Sequence, residues 1–281
     1  GCGKSTLARL LVGLDRPTHG SILLEGRDVA SLTGGERRRL AGTVQYVFQD
    51  PVSSLNPRKT VRQILEAPMR HLARLDQTAR RKRLAELLAA VNLSDAFLER
   101  YPHEFSGGQA QRIGIARALA AGPRLIVLDE PVSALDVSVQ AQVLNLLEDL
   151  KQRFGLTYLF ISHDLSVVES VSDRTAVMYF GRIVEFGERR RIFGRPRHPY
   201  TRLLLDSAPV PGQKRLRPEE RSAELPDPYR PPPGCAFAPR CPRARDDCNT
   251  AVPELAADGD DPAHRTACRY PLGDAGSGSE T

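Results

Sequence analysis

One stretch, residues 104–136, restricts the fold of this 281-residue chain more than any other. Its second half contains the apolar run LIVL at 125–128, followed at once by Asp129 and Glu130. A short apolar run that ends in carboxylates predicts a buried parallel strand with acidic groups at its carboxyl end. Because open α/β sheets bind their ligands at the carboxyl ends of strands, we expect a ligand site there.

The first half of the same stretch predicts a second binding element. The tetrapeptide SGGQ at 106–109 opens a helical pattern. Ser106 is a favoured N-cap residue, and Gly107 and Gly108 let backbone N–H groups approach an anion at the positive end of the helix. Together with Gln109, these residues predict a helix N-terminus that faces a negatively charged ligand.

The chain begins within a phosphate-binding motif. That motif is a glycine, four residues, and then Gly-Lys-Ser/Thr, whose backbone N–H groups cradle phosphates. Gly3, Lys4 and Ser5 match its end, and an apolar helical pattern follows. We expect the leading glycine and the strand that feeds the loop to precede residue 1. The residues predicted to surround the phosphates are Gly1, Cys2, Gly3, Lys4, Ser5 and Thr6.

These motifs, taken in order and spacing, resemble the ABC-type ATPase family. SGGQ, here after Phe105, is similar to the family signature, LIVLDE to its Walker B strand, and GKS to its Walker A loop. The resemblance implies an α/β P-loop NTPase fold with a mainly parallel sheet, a β-subdomain and an α-helical subdomain at about 61–122. It implies an ATPase domain at 1–190, followed by a small irregular tail that carries cysteines.

The resemblance also implies a role for each residue near the phosphates. Lys4 would meet the β- and γ-phosphates, and Thr6 would contact the α-phosphate side. Ser5, Gln49 and Asp129 would hold Mg²⁺, for which oxygen ligands are suited.

The catalytic residues implied by the resemblance are Glu130, His163 and Gln49. Glu130 would act as the general base for the attacking water. His163 would contact the γ-phosphate, and Gln49, which follows a predicted strand at 44–48, would sense the metal and the water.

In this family the signature residues act on a second subunit. Ser106, Gly107, Gly108 and Gln109 would cap ATP bound by another copy or a paralogue, and Asp136 would help to couple the two. The implied partners are therefore a second ABC ATPase subunit, two membrane permease subunits and, indirectly, a solute-binding protein.

Two further stretches indicate a branch of the family. The segment DPVSSLNPR at 50–58 and the segment HPYTRLL at 198–204 resemble the peptide- and nickel-importer branch. We expect the ATP-hydrolysing subunit of a bacterial importer for di- or oligopeptides, with a nickel or glutathione importer as the alternative in the same branch. A soluble ABC ATPase of DNA repair or translation is the alternative from another class, although the chain has one signature and no heptads.

Four of the five cysteines lie in the tail, which we place at 191–270: Cys235, Cys241, Cys248 and Cys268. Their spacing differs from the paired CxxC motifs of a zinc ribbon. It resembles the tail of peptide-importer ATPases, which can hold a [4Fe–4S] cluster on four thiolates. Zinc and unligated thiols remain open as alternatives. Cys2 is assigned no metal role, and residues 271–281 are expected to be disordered.

Charge and hydropathy restrict the location. The net charge is +6, yet nearly all of the basic residues are arginine. We attribute this excess to GC-rich codon usage and expect no nucleic-acid partner. No apolar stretch reaches the roughly 18 to 20 residues that span a bilayer. The chain is therefore expected to lie at the cytoplasmic face of the bacterial cell membrane, as a peripheral subunit held by its partners.

Overall fold

The computed structural model describes residues 2–208, 227, 230–259 and 261–273. The helices in that part of the chain are α1 (Lys4–Leu11), α2 (Gly34–Thr43), α3 (Val61–His71), α4 (Gln77–Ala90), α5 (Gly107–Leu119), α6 (Val137–Phe154), α7 (Leu165–Val171), α8 (Arg189–Gly194) and α9 (Pro199–Ser207). The strands are β1 (Leu23–Leu24), β2 (Arg27–Asp28), β3 (Val44–Val47), β4 (Leu125–Asp129), β5 (Thr157–Ile161), β6 (Arg174–Tyr179), β7 (Arg182–Glu188), β8 (Ala256–Asp258) and β9 (Asp261–Thr266).

The chain divides into two compact units. One, called here the sheet unit, is Ser5–His163, and the other, the hairpin unit, joins the residues up to Lys4 with the described residues from Asp164 onward. The sequence placed the end of the ATPase domain at residue 190, which lies within the hairpin unit.

The sheet unit is built on a parallel sheet in the order β3-β4-β5. Residues 126–129 of β4 are buried, as the apolar run predicted. Because β4 is the central strand, its residues are covered on both faces and need apolar side chains throughout. α1 packs on this sheet through Ala8, which shares an apolar cluster with Val44, Val127 and Ile161.

The remaining parts of the sheet unit also match the sequence prediction. Helices α3, α4 and α5 lie within residues 61–122 and contact one another. Their shared apolar core includes Leu65, Leu88 and Ile113. β1 and β2 form a short antiparallel pair. Residues 50–58 contain neither helix nor strand, because their prolines and turn-forming residues disfavour both.

The hairpin unit contains an antiparallel sheet in the order β6-β7-β9-β8. β6 and β7 are joined by Phe180 and Gly181, whose φ angles are +48° and +79°. Positive φ at both residues is typical of a two-residue hairpin turn.

β8 and β9 were not predicted, because the tail was expected to be irregular. β9 has the sequence DPAHRT, and its two buried residues are the polar His264 and Thr266. Without apolar alternation, no strand signal was present in the sequence. The predicted disordered segment 271–281 is described only to residue 273, and the rest of it lies outside the described residues.

No helix among the described residues is long and apolar enough to cross a membrane.

Candidate active site

Asp129 is the last residue of β4 and is nearly completely buried. Its Oδ2 accepts a hydrogen bond of 2.6 Å from the hydroxyl of Tyr46 on β3. Burial and then this hydrogen bond raise the pKa of Tyr46, which keeps its hydroxyl protonated as a donor. The other oxygen, Oδ1, has no hydrogen-bond partner among the described residues. A buried carboxylate oxygen without a donor fits a hard cation such as Mg²⁺.

Glu130 follows Asp129 and adopts the unusual φ of +48°. Its carboxylate accepts a hydrogen bond of 2.9 Å from Nε2 of Gln49, and its other oxygen lies 3.1 Å from Nδ1 of His163. Its backbone N–H donates to the carbonyl of Ile161 at 2.9 Å. Left-handed backbone in a residue other than glycine is strained and is concentrated at functional sites.

Three neighbouring parallel strands therefore deliver the predicted catalytic residues to one edge of the sheet. Gln49 follows β3, Glu130 follows β4 and His163 follows β5. We call these three residues together with Asp129 the strand-end site. The Glu130 side chain is only 14% exposed whereas that of His163 is 65% exposed, so the carboxylate is sheltered and the imidazole is open to solvent. A sheltered carboxylate between two polar side chains can accept a proton from water.

The predicted helix N-terminus is present as α5, with Ser106 as its N-cap. Ser106 and Gln109 form a reciprocal capping box, with bonds of 3.4 Å and 3.1 Å. Gly108 is close to α6, because a Cβ built there would lie 2.6 Å from Cγ1 of Val139. Glycine at 108 is therefore required by helix packing, a reason that the sequence did not reveal. Gln109 uses its amide oxygen for the cap.

A cleft of about 930 Å³ opens beside this helix N-terminus, and we call it the signature cleft. It is lined by residues 106–109, by Leu135 and Asp136 in the turn before α6, and by Asn145 and Asp149 on α6. The structure thus brings Asp136 to the same concave surface as the signature residues.

The phosphate loop is described from Cys2 onward, and Gly1 lies outside the described residues. The Cys2 carbonyl accepts a hydrogen bond of 3.1 Å from the N–H of Gly181. Gly3 has a φ of +92°, which a residue with a side chain rarely adopts. In the sheet unit, Ser5 and Thr6 are exposed in the first turns of α1.

The four tail cysteines line one cavity of about 20 Å³, called here the cysteine cavity. Burial raises the pKa of the Cys235 and Cys241 thiols, and it raises that of Cys268 to about 11. No group of three or more His, Cys, Asp or Glu side chains in the described residues is placed to hold a metal ion. The iron–sulfur prediction for Cys235, Cys241, Cys248 and Cys268 is therefore not confirmed.

Sequence reasoning missed Glu185, a fully buried carboxylate on β7. It accepts hydrogen bonds from the N–H groups of Arg197 (2.7 Å) and His198 (3.0 Å) and lies 2.7 Å from Nε2 of His264. The only sequence signal was a glutamate between the apolar residues Val184 and Phe186. Tyr46 was also missed, because only the register of β3 against β4 places its hydroxyl beside Asp129.

Comparison with known proteins gave matches over most of the chain. Residues 1–133 match the family described as ABC transporter, and residues 184–248 match the family described as oligopeptide/dipeptide transporter, C-terminal region. The chain is 50% identical over 272 residues to the oligopeptide transport ATP-binding protein AppF of Bacillus subtilis (strain 168), covering 95% of this chain and 82% of that protein. It is 50% identical over 261 residues to the dipeptide transport ATP-binding protein DppF of Escherichia coli (strain K12), covering 91% and 77% respectively.

Among solved structures, the chain is similar to the dimeric ATP-binding cassette MJ0796 in a post-hydrolysis state bound to ADP and Pi. The TM-score is 0.60 at 31% sequence identity, and the match covers 67% of this chain and 82% of that chain.

Proposed function

This chain belongs to the ABC transporter family of ATP-binding proteins, and on that premise we propose that it hydrolyses ATP to drive the import of di- or oligopeptides. The peptide assignment is supported by the match at 184–248 and by the names of the relatives. The observation that carries the hydrolytic assignment is the contact of Glu130 with Gln49 and His163 at the ends of three adjacent strands.

In the proposed reaction, most of the catalysis is positioning and charge stabilisation, as phosphoryl transfer requires. Glu130 accepts the proton of the attacking water, and Gln49 and His163 hold its carboxylate in place. Lys4 neutralises charge on the β- and γ-phosphates, and Thr6 contacts the α-phosphate side.

Mg²⁺, when bound, would supply positive charge against the phosphate oxygens. Asp129 is suited to hold it because one of its oxygens is fixed by Tyr46 and the other has no donor among the described residues. Ser5 and Gln49 are the further proposed ligands, since both offer oxygen atoms and lie in the same unit as Asp129.

We propose that the signature cleft closes over ATP bound to a second ABC subunit, either a copy of this chain or a paralogue. The cleft is concave, and its wall contains the N-terminal residues of α5, where backbone N–H groups attract anions. Asp136 at the start of α6 lines the same cleft and would couple the two subunits. The solved cassette MJ0796 is itself described as dimeric.

The remaining partners follow from the transport assignment. The relatives are named as ATP-binding proteins of transport systems, so membrane passage would be provided by two permease subunits and solute capture by a binding protein. We place this chain at the cytoplasmic face of the membrane, where ATP is available.

We also propose that Cys235, Cys241, Cys248 and Cys268 hold a [4Fe–4S] cluster. The support is that four thiols, the ligand set of such a cluster, line one cavity. A cavity of about 20 Å³ has room for about one water molecule, so the cysteine turns must move apart to admit a cluster. Iron and sulfide content of protein purified without oxygen tests this: about four of each supports the cluster, whereas one zinc or four free thiols contradicts it.

The transport assignment is tested with the full chain and its permeases in lipid vesicles. ATP is supplied on the side of the ATPase, and labelled dipeptide, nickel or glutathione is supplied with the solute-binding protein on the opposite side. We expect dipeptide to accumulate only with ATP. Accumulation of nickel or glutathione alone would overturn the peptide assignment, and ATP-independent uptake would overturn the ATPase assignment.

The shared site is tested by Ser106→Arg, which fills the signature cleft at its entrance. We expect this variant to keep nucleotide binding by the isolated subunit and to lose ATP-driven dimerisation, as measured by gel filtration with light scattering. Thr60→Arg is the matched control, because Thr60 and Gln63 form the same capping box on α3, away from the cleft. Equal loss of dimerisation in both variants would contradict the proposal.

A further inference from the structure

Phe237 connects the cysteine cavity to an aromatic cluster. It lies between Cys235 and Cys241 in sequence, is almost completely buried, and lines the cavity together with both cysteines. Its ring centroid lies 5.4 Å from that of Tyr179 and 5.4 Å from that of Tyr200. Tyr179 and Tyr200 are themselves 4.5 Å apart. We call Tyr179, Tyr200 and Phe237 the aromatic cluster.

Tyr179 of this cluster is close in sequence to a turn that contacts the phosphate loop. Tyr179 is the last residue of β6, and the hairpin turn of Phe180 and Gly181 follows it directly. The N–H of Gly181 donates to the carbonyl of Cys2 at 3.1 Å. A Cβ built on Gly3 would lie 3.8 Å from Cα of Gly181, so the turn and the loop are in contact at two successive residues.

The position of Tyr179 is determined by packing. Its hydroxyl is buried and has no hydrogen-bond partner among the described residues. Because protein interiors are close-packed, a ring without a polar anchor follows the side chains around it. Phe237 therefore contacts Tyr179 directly and is connected through the adjoining turn to the hydrogen bond with Cys2.

We propose that the aromatic cluster transmits the packing of the cysteine cavity to the phosphate loop and thereby sets the affinity of this chain for ATP. Tyr179, Tyr200 and Phe237 are positioning residues, since they act through Gly181 and Cys2. All of these residues lie in the hairpin unit, so the connection is within one compact body. The inference rests on the proposed function, because it concerns regulation of the same ATP site.

The first test is Phe237→Ala in the full chain, measured by titration with a fluorescent ATP analogue and Mg²⁺. We expect the dissociation constant to rise about 3- to 20-fold, the range of coupling through packed networks. Turnover at saturating ATP is expected to stay near the wild-type value. Phe237→Leu keeps most of the side-chain volume and is expected to restore the affinity.

Phe186→Ala is the matched control. Phe186 is an aromatic residue of the same unit, on β7, and its ring faces the guanidinium of Arg174 outside the aromatic cluster. We expect its affinity for ATP to remain near wild type. An equal loss in the Phe186 and Phe237 variants would indicate general destabilisation and would overturn the inference.

The link to the cysteines is tested by Cys241→Ala alone and together with Phe237→Ala. Since Cys241 packs in the same buried cluster as Phe237, we expect each change to weaken ATP binding and the double variant to be no weaker than the stronger single variant. Additive losses, or full affinity in Cys241→Ala, would overturn the link.

A readout independent of nucleotide covers the case in which Phe237→Ala fails to fold. Because the Gly181 amide donates to Cys2, it should exchange with deuterium several-fold faster in Cys241→Ala than in the wild type, and at the wild-type rate in Phe237→Leu. Unchanged exchange would contradict the connection. If Phe237→Ala binds ATP as tightly as the wild type does, only this inference fails. If Lys4→Ala leaves ATP binding unchanged, the result counts against the proposed ATP site.

Discussion

Two glutamates of this molecule each contact a histidine, but their other hydrogen-bond partners and their exposure to solvent differ. Glu130 in the strand-end site is contacted by the side chains of Gln49 and His163 and keeps 14% of its side-chain surface exposed. Glu185 on β7 is fully buried, and two of its three partners are backbone N–H groups, the third being His264.

The difference lies in which partners can move. Backbone donors are held by the fold, so the carboxylate of Glu185 is bound permanently and ties β7 to β9 and to the start of α9. The side chains of Gln49 and His163 stand at the ends of strands and can change partners. A buried charged group requires full satisfaction, whereas a sheltered carboxylate with mobile partners can exchange protons. Glu130 is therefore suited to chemistry and Glu185 to stability.

The largest expected effect tests whether Glu130 takes part in the chemistry. Glu130→Gln keeps the shape of the side chain and removes its ability to accept a proton. We expect ATP turnover to fall by about 10²- to 10⁴-fold while ATP binding is retained. Steady-state ATPase assays and nucleotide titration measure the two quantities. Near-normal turnover would show that another group activates the water.

The stabilising role of Glu185 is tested by Glu185→Ala. This change leaves the N–H groups of Arg197 and His198 and the imidazole of His264 without their partner. We expect a loss of about 3 to 5 kcal/mol in the free energy of unfolding, measured by urea denaturation. Turnover per folded molecule should change little. Glu188→Ala, at the exposed end of the same strand, is the control and should cost less than about 0.5 kcal/mol. A stable but inactive Glu185 variant would break the comparison.

The pH dependence of the free energy of unfolding tests the surroundings of Glu185, because the backbone N–H of His198 is one of its donors. Burial lowers the pKa of His198, the N-cap of α9, to about 4 from its ordinary value of 6.5. The unfolded chain therefore binds more protons than the folded chain between these values, and stability falls as the pH drops through this window. From pH 7 to pH 5 we expect His198 to cost about 2 kcal/mol of unfolding free energy.

The control for this prediction is His198→Asn, which keeps an acceptor for the N–H of Tyr200 and does not titrate. The difference in the free energy of unfolding between wild type and variant, measured with urea, should be smaller at pH 5 than at pH 7. An equal pH slope in both proteins would show that His198 is not the responsible group.

The smallest effect concerns the support of Asp129. Tyr46→Phe removes the hydroxyl that donates to its carboxylate, and we expect about a tenfold loss of Mg²⁺ affinity or activity, the usual effect of a group behind a metal ligand. The measurement is ATPase rate against Mg²⁺ concentration. Tyr158→Phe, on the neighbouring strand β5, removes a hydroxyl bonded to the carbonyl of Leu147 and should leave the Mg²⁺ dependence unchanged.

The four residues of the strand-end site were predicted from the sequence, Asp129 and Glu130 by the apolar run before them and Gln49 and His163 by the family resemblance. The runs before Gln49 and Asp129 predicted strands, and parallel strands present their carboxyl ends at one edge. The parallel register then places Glu130 between Gln49 and His163. The family resemblance supplied the role of each residue, and these roles remain predictions.

The hairpin unit could be predicted only in part. The turn at Phe180 and Gly181 is a local feature, because glycine readily adopts the positive φ of a tight hairpin. β8 and β9, with few apolar residues, carried no periodic signal. Phe237 and Cys241 of the tail pack against Tyr179 and Val184 of the hairpin, and no local pattern in the sequence indicated these contacts.

The sequence by itself therefore determined the parallel sheet, the carboxylates at its edge, the signature helix and the family. These depend on local patterns, in which periodicity and neighbouring residues carry the information. Tertiary structure alone decided that Tyr46 supports Asp129, that Glu185 holds the tail through His264, and that Phe237 packs against Tyr179. Each of these contacts joins residues far apart in the chain, and such pairings depend on register and packing that no local pattern specifies.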